Sequence, residues 1–231
     1  MKFVKRIIKR IIKFLSSGKK FDDHGERVDI YYKEKIDYNQ FDIYQKSHYK
    51  RYQFAAGIIT QKDYIGDFAC GTGYGSIILS KCSAKVLGID ISHKVVKEIQ
   101  RRYKNLDKVS FLQENLLQLN YKSEFDHIIS FETIEHFEEE NIVKLFNIFN
   151  NALKTNGRLI FSTPYLQEKT DVAISLGHHL TFYIDEQKIE RWLRNSGFSL
   201  AYYKYQNYLT HEIEDQQDAK DFIICVANKT E

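Results

Sequence analysis

The sequence predicts an α/β protein with a doubly wound, mostly parallel sheet and one antiparallel strand near the C terminus. Two observations lead to this fold class. From Tyr64 onwards, short apolar segments alternate with amphipathic segments, which is the pattern of a parallel sheet covered by helices on both faces. The first apolar segment runs into a glycine-rich turn between Gly71 and Gly75, which a helix follows. With 231 residues, 43% of them hydrophobic, the chain can bury one substantial core.

The expected elements follow in order from this alternation. After the first strand, which starts at Tyr64, the chain predicts a helix opening at Ser76, a strand Lys85 to Asp90, a helix over 92–104, strands Val109 to Gln113 and Phe125 to Phe131, a helix over 139–153 and a strand over 158–163. A helix over 185–195 ends before Gly197, as a C-terminal cap would. Strands over 198–205 and 221–227 finish the chain, and the polar connection 206–220 suits a loop that reverses the last strand.

The glycine turn and the acid after the second strand indicate a nucleotide-like ligand. Glycine at 71, 73 and 75 permits positive φ and close approach of the backbone, and the following helix presents unpaired N–H groups. Asp90 ends the next strand about twenty residues later, where a carboxylate accepts both hydroxyls of a ribose. Position 76 is serine, so the dehydrogenase pattern G-x-G-x-x-G is not complete.

An acid just before the glycines narrows the ligand class. Asp67 would repel a pyrophosphate and would attract an ammonium group. The inferred ligand therefore carries both a ribose and a positive charge. S-adenosylmethionine has both.

On these residues the chain resembles the class I S-adenosylmethionine-dependent methyltransferases, whose fold is Rossmann-like, over residues 44 to 227. The resemblance implies that the turn D-F-A-C-G-T-G-Y-G wraps the methionine part of the cofactor and that the strand ends hold its nucleoside. The implied contacts are Asp67, Gly71, Gly73 and Tyr74 in the turn, Asp90 and Ile91 at the ribose, Asn115 and Leu116 at the adenine, and Phe131 facing the cofactor. The family usually has aspartate where this chain has Asn115, whose amide oxygen can still accept from the adenine amino group.

Residues 1–20 differ in charge from the rest of the chain. They hold eight Lys or Arg and no acid, and taking these charges from the formal net charge of +3 leaves −5 for the remainder. An acidic body argues against a nucleic-acid partner. The three cysteines, Cys70, Cys82 and Cys225, do not have the spacing of a disulfide framework and favour a reducing cytoplasm.

The basic segment itself predicts an amphipathic helix. Over residues 2–15, Lys and Arg fill one half of a helical wheel and Phe, Val, Ile and Leu fill the other, which is the pattern of a helix lying on an anionic membrane surface. Charge recurs throughout, so a signal peptide is disfavoured. Packing on the protein's own domain or on a second subunit is the alternative. We therefore predict a cytoplasmic protein attached peripherally to the cytoplasmic membrane face, with its oligomeric state left open.

The predicted organisation is a basic helix and linker over 1–20, a helical lid segment over 21–61 and a methyltransferase domain over 62–231. In the lid, a helix from about Tyr44 to Ile59 is expected to bring His48, Arg51 and Tyr52 to the carboxylate of the cofactor. The alternative is that Arg51 and Tyr52 only tie the lid down. The run H-Y-K-R-Y-Q-F-A-A is similar to a segment of bacterial methyltransferases of surface-polysaccharide pathways.

A third constellation follows the fourth strand. Glu132, Glu135 and His136 fall on one side of a turn at the carboxyl edge of the sheet, and Gly177-His178-His179 lies in a later loop at the same edge. Two carboxylates with one or two histidines suit Mg²⁺ or Mn²⁺. E-x-x-E-H with a later histidine is similar to the metal-binding set of ubiquinone-pathway and small-RNA 2′-O-methyltransferases, which implies Glu132, Glu135, His136 and His179 as ligands. Two alternatives are a metal-free site in which His136 or His179 acts as general base, and a purely structural motif.

The function that this sequence favours is O-methylation of a hydroxyl, with Glu132, His136 and His179 as the catalytic candidates. The expected acceptor is a sugar of a surface glycan or its lipid-linked precursor. Methylation of a quinone precursor is the first alternative. RNA methylation is disfavoured by the acidic body. A membrane-bound scaffold without catalytic activity is the alternative that is not an enzyme.

Overall fold

A computed structural model describes residues 27–30, 38–176, 179–216 and 218–230. The predicted basic helix over 2–15, together with Gly177 and His178, lies outside these residues. The strands are β1 Tyr64–Phe68, β2 Lys85–Asp90, β3 Val109–Gln113, β4 Phe125–Phe131, β5 Leu153–Pro164, β6 Phe198–Gln206, β7 Ile213–Glu214 and β8 Phe222–Lys229. The α-helices are α1 Ile43–Ala56, α2 Tyr74–Ser80, α3 His93–Arg102, α4 Glu139–Ala152, α5 Asp171–Leu176 and α6 Glu186–Arg194.

Within the described residues the strands form one eight-stranded sheet in the order β3-β2-β1-β4-β5-β8-β6-β7. Strands β1 to β5 pair in parallel, and β8 lies antiparallel between β5 and β6. The predicted doubly wound sheet with a reversed strand near the C terminus is confirmed. The two-residue strand β7, antiparallel to β6, is an addition within the connection that we expected to be a loop.

Helices cover both faces of the sheet. Under α4 and α6, one face buries a large cluster that includes Phe146, Phe149 and Trp192. The other face packs against α1 and α2 and buries Tyr52 and Ile78 among others. Burial of apolar surface on both faces is what stabilises a parallel sheet, and it leaves the carboxyl ends of the strands at one edge. No helix in the described part of the chain combines the length and apolar content that a membrane span requires.

Some element boundaries differ from those that the sequence predicts. Helix α1 ends at Ala56, before the expected Ile59, because Gly57 caps it. Strand β5 starts at Leu153 rather than at 158, directly after α4, with a shift of register opposite β4. Helix α5 was not expected. Propensity alone does not place such boundaries, because packing against the sheet overrides it.

The glycine turn is the most informative correction. Helix α2 starts at Tyr74 with Gly73 as its N-cap, two residues before the expected start at Ser76. Gly71 and Gly73 have positive φ, as expected, but Gly75 does not. A Cβ at Gly75 would lie 2.0 Å from Cζ of Tyr52. Glycine is therefore needed at 75 because the ring of the lid residue Tyr52 packs on the helix backbone there.

Gly75→Ala should lower the free energy of unfolding by about 1–3 kcal/mol, because the Tyr52 ring is buried and cannot move aside freely. Denaturant unfolding measures this. Gly57→Ala, whose added Cβ would approach its nearest neighbour only to 3.4 Å, is the matched control and should change the free energy by less than about 1 kcal/mol. Equal stability of Gly75→Ala and wild type would contradict the packing account.

Candidate active site

The carboxyl edge of the sheet carries backbone strain. Ala69, immediately after β1, and Glu132, immediately after β4, have φ of 62° and 52°. Non-glycine residues in the left-handed region are uncommon and cluster at functional sites. Both turns stand at the edge where open α/β sheets bind their ligands.

Asp67, within β1, lies at the base of the cleft. Its side chain is fully buried and accepts hydrogen bonds from Ser76 Oγ at 2.6 Å and from Tyr52 Oη at 3.1 Å. Burial raises the pKa of Asp67 to about 6, although the two hydrogen bonds act in the opposite direction. The carboxyl therefore ionises close to neutral pH, so a cation bound beside it would favour its charged form.

Asp90, at the end of β2, faces the glycine turn as the sequence predicts. Its Oδ2 accepts from the backbone N–H of Gly71 at 3.0 Å, and its Oδ1 accepts from the N–H of Ser92 at 2.9 Å. The same Oδ1 is paired with Arg27 Nη2 at 3.0 Å, and both of these side chains are nearly buried. Arg27 is a functional neighbour that the sequence did not reveal.

Residues 27–30 contact both the glycine turn and helix α3. The hydroxyl of Thr72 donates to the carbonyl oxygen of Val28 at 2.7 Å, and Asp29 forms an ion pair with Arg102 at 2.9 Å. Arg27 occupies Asp90 Oδ1. A ribose that donates both of its hydroxyls to Asp90 therefore has to displace Arg27 from this oxygen.

The expected adenine side contains an exposed apolar residue and a capping amide. Ile91 is 58% exposed directly after Asp90, which is unusual for a large apolar side chain and suits contact with a flat ring. Asn115 Oδ1 accepts from the N–H of Leu117 at 2.9 Å and so begins a short 3₁₀ helix that contains buried Leu116. The second lone pair of this amide oxygen can accept from an amino group.

Two aromatic residues of the predicted cofactor set are buried against the lid. The Tyr52 ring meets Tyr74 and Phe131 edge-on, with ring centroids 5.3 and 5.0 Å apart. Tyr74 and Phe131 therefore form the floor under the lid helix.

Arg51 does not reach toward the cleft in this structure. Its side chain is fully buried, pairs with Glu132 Oε1 at 2.8 Å, donates from Nε to Gln206 Oε1 at 2.8 Å and stacks on the Phe222 ring at 4.2 Å. Ser162 Oγ also donates to Glu132 Oε1, at 2.7 Å. These contacts fix the lid to the sheet, which is the alternative that the sequence left open, and a contact of Arg51 with the cofactor carboxylate stays a prediction.

His48, the remaining lid candidate, packs against Tyr44 with ring centroids 4.8 Å apart. Burial lowers the pKa of His48 well below its ordinary value, and the neighbouring Arg51 charge adds to this. A neutral imidazole is a poor partner for a cofactor carboxylate.

The E-x-x-E-H turn and the later loop meet as the sequence predicts, although with three members rather than four. Potential ligand atoms of Glu135, His136 and His179 lie within 4.8 Å of one another. The two imidazole rings are edge to face, with centroids 4.9 Å apart. Glu132, which the predicted set includes, is not among these three residues, and its Oε1 is paired with Arg51.

Glu135 has the most unusual environment of the three. It is 1% exposed, and its Oε2 accepts from Thr163 Oγ1 at 3.0 Å, while its Oε1 accepts no hydrogen bond from any residue that the structure describes. Burial raises the pKa of Glu135 well above its ordinary value, and the nearby Glu132 charge raises it further. An orphan oxygen on a buried carboxyl needs a proton or a cation.

These residues fit a divalent cation, and the donor set favours particular ions. One carboxylate and two imidazoles supply one oxygen and two nitrogens. Mg²⁺ prefers oxygen ligands throughout, whereas Mn²⁺ and later transition metals also accept imidazole. Of the two ions expected from the sequence, Mn²⁺ suits this cluster better, because Glu132 is engaged elsewhere.

Comparison with known proteins agrees with this geometry. Residues 65–157 match the family model described as a methyltransferase domain. YqeM of Bacillus subtilis (strain 168), provisionally named a methyltransferase, is 28% identical over 106 residues, which cover 45% of this chain and 43% of that protein. Carboxy-S-adenosyl-L-methionine synthase of Helicobacter pylori (strain HPAG1) is 24% identical over 209 residues, which cover 88% of this chain and 75% of that protein. The chain thus spans less than half the length of YqeM.

Solved structures share the fold. N-methyltransferase NodS from Bradyrhizobium japonicum WM9, in complex with S-adenosyl-L-homocysteine, superposes with a TM-score of 0.63 at 14% identity, over 84% of this chain and 90% of NodS. The sheet order with its reversed strand, the glycine turn and Asp90 are those of a class I S-adenosylmethionine-dependent methyltransferase. Together with the match to the methyltransferase domain model over residues 65–157, they support the class I methyltransferase family that the sequence predicts.

Affinity for S-adenosylhomocysteine, which carries the same ammonium group as the cofactor, should depend on the ionisation of Asp67. With a pKa of about 6 the carboxyl is charged at pH 7.5 and mostly neutral at pH 5, so binding should weaken by about tenfold over this range. Titration calorimetry at several pH values measures it. Asp67→Asn should bind more weakly at pH 7.5 and lose most of the pH dependence. A profile that is unchanged in this variant would exclude Asp67 as the source.

Arg27→Ala should strengthen binding of S-adenosylhomocysteine, by about three- to tenfold, because the ribose no longer competes for Asp90 Oδ1. The affinity of Arg27→Lys, which keeps the charge, should lie between those of Arg27→Ala and wild type. The same titration at pH 7.5 measures both. Weaker binding of Arg27→Ala would mean that Arg27 contacts the ligand and does not compete with it.

Proposed function

We propose that this protein transfers the methyl group of S-adenosylmethionine to a hydroxyl oxygen of its acceptor. The observation that carries the proposal is the cluster of Glu135, His136 and His179 at the carboxyl edge, within the same sheet edge as Asp67 and Asp90. Proton acceptors and a buried carboxyl are what removal of a hydroxyl proton requires. An acceptor whose nitrogen already carries a lone pair would not need them.

In this proposal the cleft binds the cofactor through groups of known position. Asp90 accepts the ribose hydroxyls, Ile91 contacts the adenine ring, and Asp67 attracts the ammonium group through the floor of the cleft. Because methyl transfer is an in-line displacement, the main contribution of the protein is to align the acceptor oxygen with the methyl carbon.

The histidines then receive the proton of the acceptor hydroxyl. Both rings are half-buried and meet edge to face, so a hydroxyl that approaches the exposed edge of this pair can donate to an imidazole nitrogen. A divalent cation held by Glu135, His136 and His179 would lower the pKa of a bound hydroxyl when present. Burial raises the pKa of Glu135, so its carboxyl ionises when a positive charge forms on an imidazole or arrives with an ion, and the carboxylate then balances that charge.

For the acceptor we propose a sugar of a surface glycan or of its lipid-linked precursor. Neighbouring sugar hydroxyls suit this cluster, because a cation held there would chelate both of them and lower the pKa of one. The similarity of the run over 48–56 to methyltransferases of surface-polysaccharide pathways and the basic segment 2–15 support the same acceptor class. Attachment to the cytoplasmic membrane face through 2–15 remains a prediction, because these residues lie outside the described part of the chain.

Methyl-labelled S-adenosylmethionine, incubated with the full chain and a panel of nucleotide sugars, catechols and amines, tests the reaction class. The proposal expects label in a methyl ether of a sugar, identified by mass spectrometry of the product. Label on a catechol alone would favour the quinone-precursor acceptor over the sugar. Label only on nitrogen or carbon would contradict O-methylation, and no binding of S-adenosylmethionine would return the scaffold hypothesis.

The alignment with carboxy-S-adenosyl-L-methionine synthase makes the identity of the bound nucleoside part of this test. Mass spectrometry of the ligand released from purified protein should give S-adenosylmethionine or S-adenosylhomocysteine. A carboxylated nucleoside would contradict the proposed transfer of a simple methyl group.

Mn²⁺ should bind the cluster more tightly than Mg²⁺, and Glu135→Gln should weaken Mn²⁺ binding by at least about tenfold. Glu132→Gln is the matched control, since Glu132 pairs with Arg51 and should change the affinity by less than about threefold. Calorimetric titration of each ion into the metal-free protein measures this. Equal losses in both variants would restore the four-ligand set, and activity that survives strong chelation would leave His136 or His179 as a metal-free base.

A further inference from the structure

The outer side of His179 is held by a short hydrogen bond. Its Nδ1 lies 2.6 Å from Oε1 of Gln167, a residue that follows β5. Because Nδ1 faces Gln167, Nε2 is the ring nitrogen assigned to the cluster with Glu135 and His136, whose potential ligand atoms lie within 4.8 Å of those of His179. Which nitrogen carries the proton decides whether Nε2 offers a lone pair.

Gln167 is held in place by its backbone. Its carbonyl oxygen accepts from the N–H of Tyr183 at 3.0 Å, and the N–H of Leu166 donates to the carbonyl oxygen of Ile184 at 2.9 Å. Leu166 and Tyr183 have φ of 49° and 52°. Non-glycine residues adopt the left-handed region at an energetic cost and stay there only where the surrounding structure imposes it.

The His179 loop is held from the opposite side by separate bonds. The N–H groups of Leu180 and Thr181 donate to the carbonyl oxygen of Glu135 at 2.8 and 3.1 Å, and Thr181 Oγ1 donates to the carbonyl oxygen of Phe137 at 2.6 Å. The Gln167–His179 contact therefore stands beside two other sets of bonds, which join Gln167 to Tyr183 and join the His179 loop to Glu135. Such a contact sets the orientation of the ring with little freedom.

We propose that Gln167 is a positioning residue for the O-methyltransferase site, an inference that rests on the proposed function. Its amide oxygen accepts from Nδ1–H of His179, which fixes the tautomer and turns the Nε2 lone pair toward Glu135 and His136. The same arrangement serves both forms of the site, because a metal ligand and a general base each need that lone pair. The backbone bond from Tyr183 to Gln167 keeps the glutamine beside the His179 loop.

The ¹⁵N NMR signals of the imidazole report the tautomer directly in the metal-free protein. Wild type should show His179 protonated on Nδ1. Gln167→Glu offers only oxygen acceptors and should keep this tautomer, whereas Gln167→Leu should lose the preference. Protonation of wild-type His179 on Nε2 would overturn the proposal, since the amide would then donate through its nitrogen.

Mn²⁺ affinity and methyl transfer give the functional readout. Gln167→Leu should weaken Mn²⁺ binding or lower kcat by about 10- to 100-fold, and Gln167→Glu should restore at least most of it. Gln61→Leu, at an exposed glutamine before β1, is the matched control and should behave as wild type. If Gln167→Leu does not fold, Gln167→Asn replaces it. This variant keeps the amide but shortens its reach, and we expect the same loss of Mn²⁺ binding or of kcat.

His179→Ala separates failure of this inference from failure of the proposed function. If His179→Ala binds Mn²⁺ and transfers methyl groups like wild type, the proposed role of the cluster is wrong. If His179→Ala loses both while Gln167→Leu retains both together with the wild-type tautomer, the cluster stands and the positioning role of Gln167 is overturned.

Discussion

Two hydrogen bonds to the buried carboxyl of Asp67 join the elements that surround the expected cofactor site. Ser76 brings helix α2 to the first strand, and Tyr52 brings the lid helix α1 to the same point. The Tyr52 ring can reach it only because position 75 has no side chain. One carboxyl thus fixes a strand, a turn helix and a lid, and a cationic ligand bound at the glycine turn would interact with the same buried charge.

A second buried link determines what the catalytic edge can do. The Arg51–Glu132 pair lies in the interior, where removing one partner would leave an uncompensated charge. By holding Glu132, Arg51 takes one acid away from the E-x-x-E-H turn and leaves Glu135 with two histidines. The lid helix therefore shapes the cofactor side through Tyr52 and the acceptor side through Arg51.

Elements that depend only on neighbouring residues were predicted correctly from the sequence. Strands β2, β3 and β4 begin and end at the predicted residues, and Asp90 faces the glycine turn, because hydrophobic runs and turn chemistry are properties of neighbouring residues. Arg27 pairs with Asp90 across 63 positions of sequence, and no periodicity encodes such a pairing. The role of Gly75 and the capture of Glu132 were missed for the same reason, since both depend on how α1 docks. The H-Y-K-R-Y run did indicate that this helix carries candidate site residues.

The central claim is that the cleft formed by the glycine turn and Asp90 binds the nucleoside of S-adenosylmethionine. Titration of S-adenosylhomocysteine into the full chain and into Asp90→Ala tests it most directly, with exposed Asp107→Ala as control. The account predicts binding to wild type and to the control, and a loss of at least about tenfold in Asp90→Ala, because charge-assisted hydrogen bonds to the ribose are removed. Equal affinity in all three proteins, or no binding to any of them, would contradict it.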